Sequence, residues 1–243
     1  MRCAFVGIAR GMKRARRPYV ICHMMPSIDG RIVTERWKLA PGVMAEYDRT
    51  AETFGADGWM IGRVSMEPYA GKRRAPPGKA ARPIPRTDFI APHHVESYAI
   101  ALDPSGKLGW RSGSIDDEHV ITVLTRKVPD AYLSFLRSKG VSYLFGGATE
   151  LDLSAVLRKL RSKFGIKKLL LEGGGSINGS FLAADLIDEL SVLVVPIGDG
   201  SVGTPSLFDA TEGKGPARHL GLLSVRKRRG GLVWLRYRFS RRR

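Results

Sequence analysis

The residues best suited to chemistry by type and spacing stand in the stretch 167–182, Lys-Lys-Leu-Leu-Leu-Glu-Gly-Gly-Gly-Ser-Ile-Asn-Gly-Ser-Phe-Leu. Leu169, Leu170 and Leu171 form an uninterrupted apolar run, the pattern of a strand buried on both faces of a parallel sheet. Glu172 then falls at the carboxyl end of that strand, where open α/β sheets place their ligands. Gly173, Gly174 and Gly175 permit positive φ and close approach of a ligand to the backbone. Ser176 is a candidate N-cap for a helix carrying Ile177, Phe181 and Leu182. A strand fed through glycines into a helix start aims unpaired amides and the positive helix end at one point, which suits a phosphate or pyrophosphate. Neither G-x-x-x-x-G-K-S/T nor a strand-first G-x-G-x-x-G is present, so the glycine run alone reads equally as a tight turn that needs small residues.

Three further places carry comparable chemistry. Gly62-Arg63-Val64-Ser65-Met66-Glu67 repeats the passage from strand through glycine to helix, with Arg63 adding charge for a phosphate. Thr125, Arg126 and Lys127 put a hydroxyl and two cations at a strand end, either a solvated terminus or a second phosphate pocket. In Ser27-Ile28-Asp29-Gly30, Asp29 reads as turn chemistry or as a substrate-facing carboxylate beyond a first strand. His23, alone within that strand, reads as a hydrogen-bonded core residue. Cys3 and Cys22 fit no metal or redox spacing, and no metal site is expected.

The elements that must position these residues follow from hydrophobic period. Strands are predicted over 18–24, 58–61, 98–102, 119–124, 142–145, 169–171 and 190–195, with another short one after Asp29-Gly30. Helices are predicted over 45–54, where Tyr47, Ala51 and Phe54 recur at helical spacing, around Tyr132, Phe135 and Leu136, and after Asp152 as N-cap, with Leu153, Val156, Leu157, Leu160 and Phe164 on one face. Strands at 220–225 and 232–239 flank Lys227-Arg228-Arg229-Gly230-Gly231, a closing antiparallel hairpin. Alternation until that end predicts a three-layer α/β domain with a mostly parallel sheet and an antiparallel C-terminal edge. Its span is 18–243, behind a basic arm over 1–17, with one hydrophobic core and no internal repeat.

The net charge of +17 is concentrated rather than spread. Stretches 1–17, 71–86 and 213–243 hold 23 of the 40 Lys and Arg and no acidic residue, leaving 17 basic against 23 acidic side chains elsewhere. That remainder is ordinary for a soluble enzyme, and the basic ends alone invite a nucleic-acid reading. Stretches 1–17 and 71–86 lack the interleaved aromatics that stack bases. Trp234, Tyr237 and Phe239 in the last strand read as core and dimer contacts. No apolar run approaches membrane length, and a weak apolar N-terminal patch makes no secretory signal, so a cytoplasmic protein is expected.

Taken together, Ser27-Ile28-Asp29-Gly30-Arg31, Gly62-Arg63, Leu124-Thr125-Arg126, Leu171-Glu172-Gly173-Gly174-Gly175 with Asn178-Gly179, Leu186-Ile187-Asp188-Glu189-Leu190 and Pro205-Ser206-Leu207-Phe208 resemble the dihydrofolate-reductase-like superfamily. More closely, they resemble the reductase half of the bifunctional riboflavin-biosynthesis deaminase/reductase, over nearly the whole chain from Pro18. The deaminase half has no counterpart, since no H-x-E with P-C-x-x-C zinc signature occurs.

The resemblance implies a dihydrofolate-reductase-like fold, NADPH as cofactor, and hydride transfer that reduces a 5-amino-6-(5-phosphoribosylamino)pyrimidine to its ribitylamino product. It implies that Gly62, Arg63 and Val64 approach the cofactor pyrophosphate with Gly173, Gly174, Gly175, Ser176 and Ile177. Thr125 and Arg126 would face the 2′-phosphate, with Ser27 near the nicotinamide. Asp29 and Glu172 are the implied catalytic carboxylates, holding the pyrimidine and the opened sugar, and a homodimer is implied. The competing readings are a dihydrofolate- or pterin-type reductase of the same fold and, in another class, a nucleic-acid-binding protein.

Overall fold

The computed structural model describes residues 17–71, 82–209 and 217–240. The arm over 1–16 and most of the basic loop over 71–86, namely 72–81, lie outside the described residues. The described chain runs β1 (Tyr19–Met24), α1 (Val43–Glu52), β2 (Gly58–Gly62), α2 (Arg63–Ala70), β3 (Tyr98–Leu102), β4 (Ser114–Ile115), β5 (Glu118–Thr125) and α3 (Asp130–Ser138). It continues through β6 (Ser142–Gly147), α4 (Leu153–Phe164), β7 (Lys168–Leu171), α5 (Gly175–Ala183), β8 (Glu189–Val194), β9 (Leu220–Lys227) and β10 (Val233–Phe239).

One sheet collects the strands in the order β4-β5-β3-β2-β7-β1-β8-β10-β9, with β6 also paired to β5. The pairings from β6 through β5, β3, β2, β7 and β1 to β8 are parallel. β10 runs antiparallel to β8 and β9, the predicted closing hairpin, and β4 adds a short antiparallel pairing to β5.

Strand alternation makes the layers. Val20, Cys22, Met24, Ile100, Leu102, Ile121 and Val123 face α4 and α5, where Val156, Leu157, Leu160 and Phe181 meet them. On the other face Ile61, Ala101, Val120 and Leu124 pack under α2 and α3. Ile21, Leu170 and Leu193 pack under α1 with Val43 and Phe54. Because successive strand side chains point to opposite faces, Cys22 and His23 are committed to different layers.

Two local expectations are corrected. Ser176 is not the N-cap of α5: the helix already includes Gly175, is flanked by Gly174 at φ 44°, and leaves Ser176 exposed. The glycine reaches a backbone conformation that a serine cap would resist, so the turn closes two residues earlier. After Asp29-Gly30 no strand forms; Arg31 makes a single antiparallel bridge to Ser206, outside the main sheet. Asp152 does cap α4, accepting from the Ala155 amide at 2.9 Å. Trp234 is 2% exposed, lies in the core, and has the guanidiniums of Arg226, Arg228 and Arg236 around its ring, so this aromatic is not free to stack a base.

Candidate active site

The ends of β1, β2, β5, β7 and β8 all reach one edge of the sheet, which therefore gathers nearly every residue singled out by type. β7 ends between β2 and β1, and its last amide step, from Glu172 N–H to the Met60 carbonyl, spans 3.0 Å. Glu172 is thereby held half-buried at the centre of the edge. Its Oε1 accepts from the hydroxyl of Tyr47, a residue of α1, at 3.1 Å. Burial raises the Glu172 carboxyl from an ordinary 4.5 to about 7; the charges of Asp48 and Glu118 add to the rise, and the Tyr47 bond opposes it. A carboxyl so placed holds or releases a proton near neutrality, the property required of a general acid or base.

The surroundings of Glu172 keep other groups from titrating in its place. The Tyr47 ring stacks on His23 at 4.4 Å. His23 is fully buried, bonds Ser191 Oγ through Nδ1 at 2.9 Å, and is pushed by desolvation down to about 4, so it stays neutral. Burial likewise pushes the Cys22 thiol well up, with the Glu172 charge adding to it. The reading of His23 as a satisfied core residue holds.

The two glycine passages interlock. A Cβ on Gly173 would lie 2.5 Å from Ile61 Cα and 2.8 Å from Gly62 N, and one on Gly62 would lie 2.9 Å from Ile177 Cγ1. Only bare backbone lets the end of β7 cross that closely over the end of β2. The starts of α2 and α5 consequently stand side by side, with the Gly174 Cβ position 3.9 Å from Ser65 Oγ. Their first-turn amides have no intrahelical acceptor, and two helix starts converge where the sequence suggested one phosphate each. Val64 is 66% exposed beside them. Arg63 turns along its own helix to pair with Glu67, so its charge is partly compensated. Gly175 differs from its neighbours: a side chain there would strike Ser206 O at 2.4 Å and Asp209 Oδ2 at 2.2 Å, so its smallness serves packing of the 205–209 segment.

Ser27 and Asp29 form a separate unit beyond β1. The Ser27 hydroxyl donates to Asp29 Oδ1 at 2.7 Å, and the Asp29 carboxylate accepts from the amides of Asp199 and Gly200, each at 2.9 Å. Those amides, that of Asp199 foremost, and the Ser27 hydroxyl hold the exposed Asp29 far below the usual carboxylate range. Asp29 is therefore an ionised anchor for the loop after β8. Farther along the edge, past β3, Thr125 is buried and donates its hydroxyl to the Pro104 carbonyl at 2.7 Å, while Arg126 and Lys127 are exposed. At that strand end the outward cations face solvent, and the hydroxyl proton faces in.

The structure brings Glu172, Gly173, Gly174, Gly62 and Ile177 together with Val64 at the start of α2, sets Ser27 and Asp29 in the turn after β1 where they are tied to the loop after β8, and leaves Arg126 at the far side. Tyr47 is the residue that sequence reasoning missed, having counted only as a member of a helical face. Its signal was a phenol on the face turned toward a strand, where a hydroxyl needs a partner.

A mostly parallel three-layer α/β sheet with an antiparallel C-terminal hairpin, and a titratable carboxylate between two glycine-gated helix starts, defines an oxidoreductase of the dihydrofolate-reductase-like fold. The chain belongs to the RibD C-terminal domain family, whose sequence model matches residues 18–234. It is 25% identical over 221 residues to the 2,5-diamino-6-ribosylamino-4(3H)-pyrimidinone 5′-phosphate reductase of Aquifex aeolicus, covering 87% of this chain and 90% of the relative. It is 24% identical over 206 residues to the protein of that name from Archaeoglobus fulgidus, with coverages of 79% and 87%. The fold superposes on a pyrimidine reductase-like protein of Corynebacterium diphtheriae with TM-score 0.68, at 18% identity and 93% coverage of both chains. It also superposes on RibD of Acinetobacter baumannii with TM-score 0.65 at 20% identity, covering 93% of this chain and 59% of that one. Among the described residues no helix is long and apolar enough to cross a membrane.

Proposed function

We propose that this protein is the NADPH-dependent reductase of riboflavin synthesis that converts the ribosylamino group of a 6-ribosylaminopyrimidine 5′-phosphate into a ribitylamino group. The observation that carries the reading is Glu172, poised to hold a proton near neutrality beside two converging helix starts. The residues present fit a dinucleotide. The amides that open α2 and α5, with Gly62, Gly173 and Gly174 leaving the backbone bare, suit its diphosphate, and exposed Val64 offers an apolar contact. Arg126 is the side chain free to meet a 2′-phosphate; Thr125, its hydroxyl proton already donated inward, contributes only by shaping the strand end.

The bound nicotinamide supplies a hydride. Reducing a C=N bond also consumes one proton, and Glu172, protonated over part of the neutral range, holds one at its carboxyl. Low exposure and neighbouring carboxylates keep that proton in place until the nitrogen being reduced needs it. Asp29, through the amides of Asp199 and Gly200, holds the loop after β8 against the turn that carries Ser27. We assign Ser27 to the nicotinamide end of the site and that loop to its pyrimidine side. The same reading makes the protein cytoplasmic and homodimeric; Leu222, Leu223 and Val225, exposed along outermost β9, support a partner at that edge.

The test is NADPH or NADH oxidation against the ribosylaminopyrimidine phosphate, with and without its 2-amino group, and against dihydrofolate. Turnover of a ribosylaminopyrimidine alone, preferring NADPH, is expected. Arg126→Ala should weaken NADPH about 10- to 150-fold and leave NADH nearly unchanged, the range expected for one hydrogen bond to a charged group. Turnover of dihydrofolate alone would favour the pterin reading, and equal loss for both cofactors would remove the 2′-phosphate from Arg126.

A further inference from the structure

Tyr47 sits where no family motif of the sequence points, yet it is the side chain that touches the carboxyl of Glu172. Its Oη stands 3.1 Å from Glu172 Oε1 and also 3.1 Å from the carbonyl oxygen of His23. One hydroxyl has one proton, so it serves one of these acceptors at a time. With Glu172 ionised, Tyr47 donates to Oε1. With Glu172 protonated, the carboxyl donates to Oη and the phenolic proton swings to the His23 carbonyl. Both protonation states of Glu172 are thus satisfied by rotation of one O–H bond, with no heavy atom displaced.

The phenol is held firmly enough for this. Its ring lies at 21° to His23 and 4.4 Å from it. The Tyr47 carbonyl accepts from Thr50 Oγ1 at 2.8 Å and lies 3.4 Å from His23 Nε2. Trp234 Nε1 donates to Ser191 Oγ at 2.8 Å, which leaves the serine proton for His23 Nδ1 and assigns the histidine its Nε2–H tautomer. Burial and the nearby Glu172 charge keep Tyr47 itself from ionising. The charged or titratable groups that bear on the pair are Cys22 and His23 from β1, Asp48 from α1 and Glu118 from β5.

We propose that Tyr47 is a positioning residue for the reduction, its hydroxyl being the internal partner of the Glu172 proton in both states and fixing Oε1 so that Oε2 is presented to the substrate. The inference rests on the reductase reading for its role in turnover, but the coupling of the two side chains does not. Removing the hydroxyl takes a charge-assisted bond from the carboxylate and a weaker one from the neutral acid. The Glu172 titration should therefore move upward by about one pH unit.

The experiment follows the Glu172 carboxyl by carbon-13 NMR in the full chain, assigned by loss of its resonance in Glu172→Gln, for wild type, Tyr47→Phe and protein carrying 3-fluorotyrosine at position 47. Phenylalanine keeps the ring on His23; the fluorinated phenol, a stronger donor, keeps the fold and the bond. An upward midpoint shift in Tyr47→Phe with a downward shift for fluorotyrosine is expected. Where the pyrimidine is turned over, the alkaline limb of kcat should move with the midpoint and KM for the cofactor should not change. Equal midpoints in all three proteins would overturn the proposal. If NMR midpoints move but the pyrimidine is not turned over, the reductase reading fails while the pair stands.

Discussion

Replacing Glu172 by glutamine tests the site through two readings that depend on one carboxyl. Burial holds that carboxyl at about 7 instead of 4.5, so the folded chain binds its proton more tightly than the unfolded chain does. The sign follows from linkage: stability is unaffected by this group below about pH 4.5, falls as pH rises through the interval, and stays lower above about 7. At 1.36 kcal/mol per unit the full interval corresponds to about 3 kcal/mol, and partial exposure of Glu172 reduces this to roughly 1–3 kcal/mol. Glutamine keeps the shape and never ionises. The variant's thermal midpoint, measured against wild type, should therefore rise by roughly 2–10 °C more at pH 8 than at pH 5. His23 and His119, both held near 4 chiefly by burial, lower stability as pH falls from 6.5, but they act equally in the two proteins and cancel in the difference. In the same variant, loss of the proton donor should slow turnover about 30- to 1,000-fold while leaving cofactor binding intact. A stability difference that does not change between pH 5 and pH 8 would show that Glu172 titrates normally, and wild-type turnover would remove it from the chemistry.

Three further outcomes are expected. Gly173→Ala places a methyl 2.5 Å from Ile61 Cα and 2.8 Å from Gly62 N, both backbone atoms that cannot rotate away. It should cost about 1–3 kcal/mol in denaturant unfolding and weaken dinucleotide binding, whereas unchanged stability would show that the two strand ends stand farther apart. Asp29→Asn removes the charge that gathers Ser27 and the amides of Asp199 and Gly200. Its effect should appear as a raised KM for the pyrimidine with a smaller change in kcat, and a pure kcat loss would return Asp29 to direct chemistry. Deleting residues 1–16 keeps Arg17, whose guanidinium forks onto Asp188 at 2.6 and 3.0 Å, so thermal midpoint and turnover should stay near wild type; a large fall in midpoint would make the arm part of the domain.

How much of this was legible in the chain depends on how far apart the partners lie. Apolar runs such as Leu169-Leu170-Leu171 and the helical face of Val156, Leu157 and Leu160 report burial through period alone, and the strands and helices they predict are present to within a few residues. β4, two residues long, has no period to detect. Glycines were legible as sites where something comes close, but not as to what. For Gly175 it is the packed 205–209 segment, and for Gly173 it is the neighbouring strand. Asp29 was balanced between turn and substrate because its partners, the amides of Asp199 and Gly200, lie some 170 residues away. Glu172 shows the same division most clearly. Its place at a strand end is local and was readable. Its proton affinity is not, because that depends on Tyr47, Asp48 and Glu118, which only the strand order β5-β3-β2-β7-β1 and the helix laid across it bring near. The residue type and strand end identify where chemistry is possible, and the topology supplies the low-dielectric, negatively charged surroundings that raise this carboxyl from 4.5 to about 7.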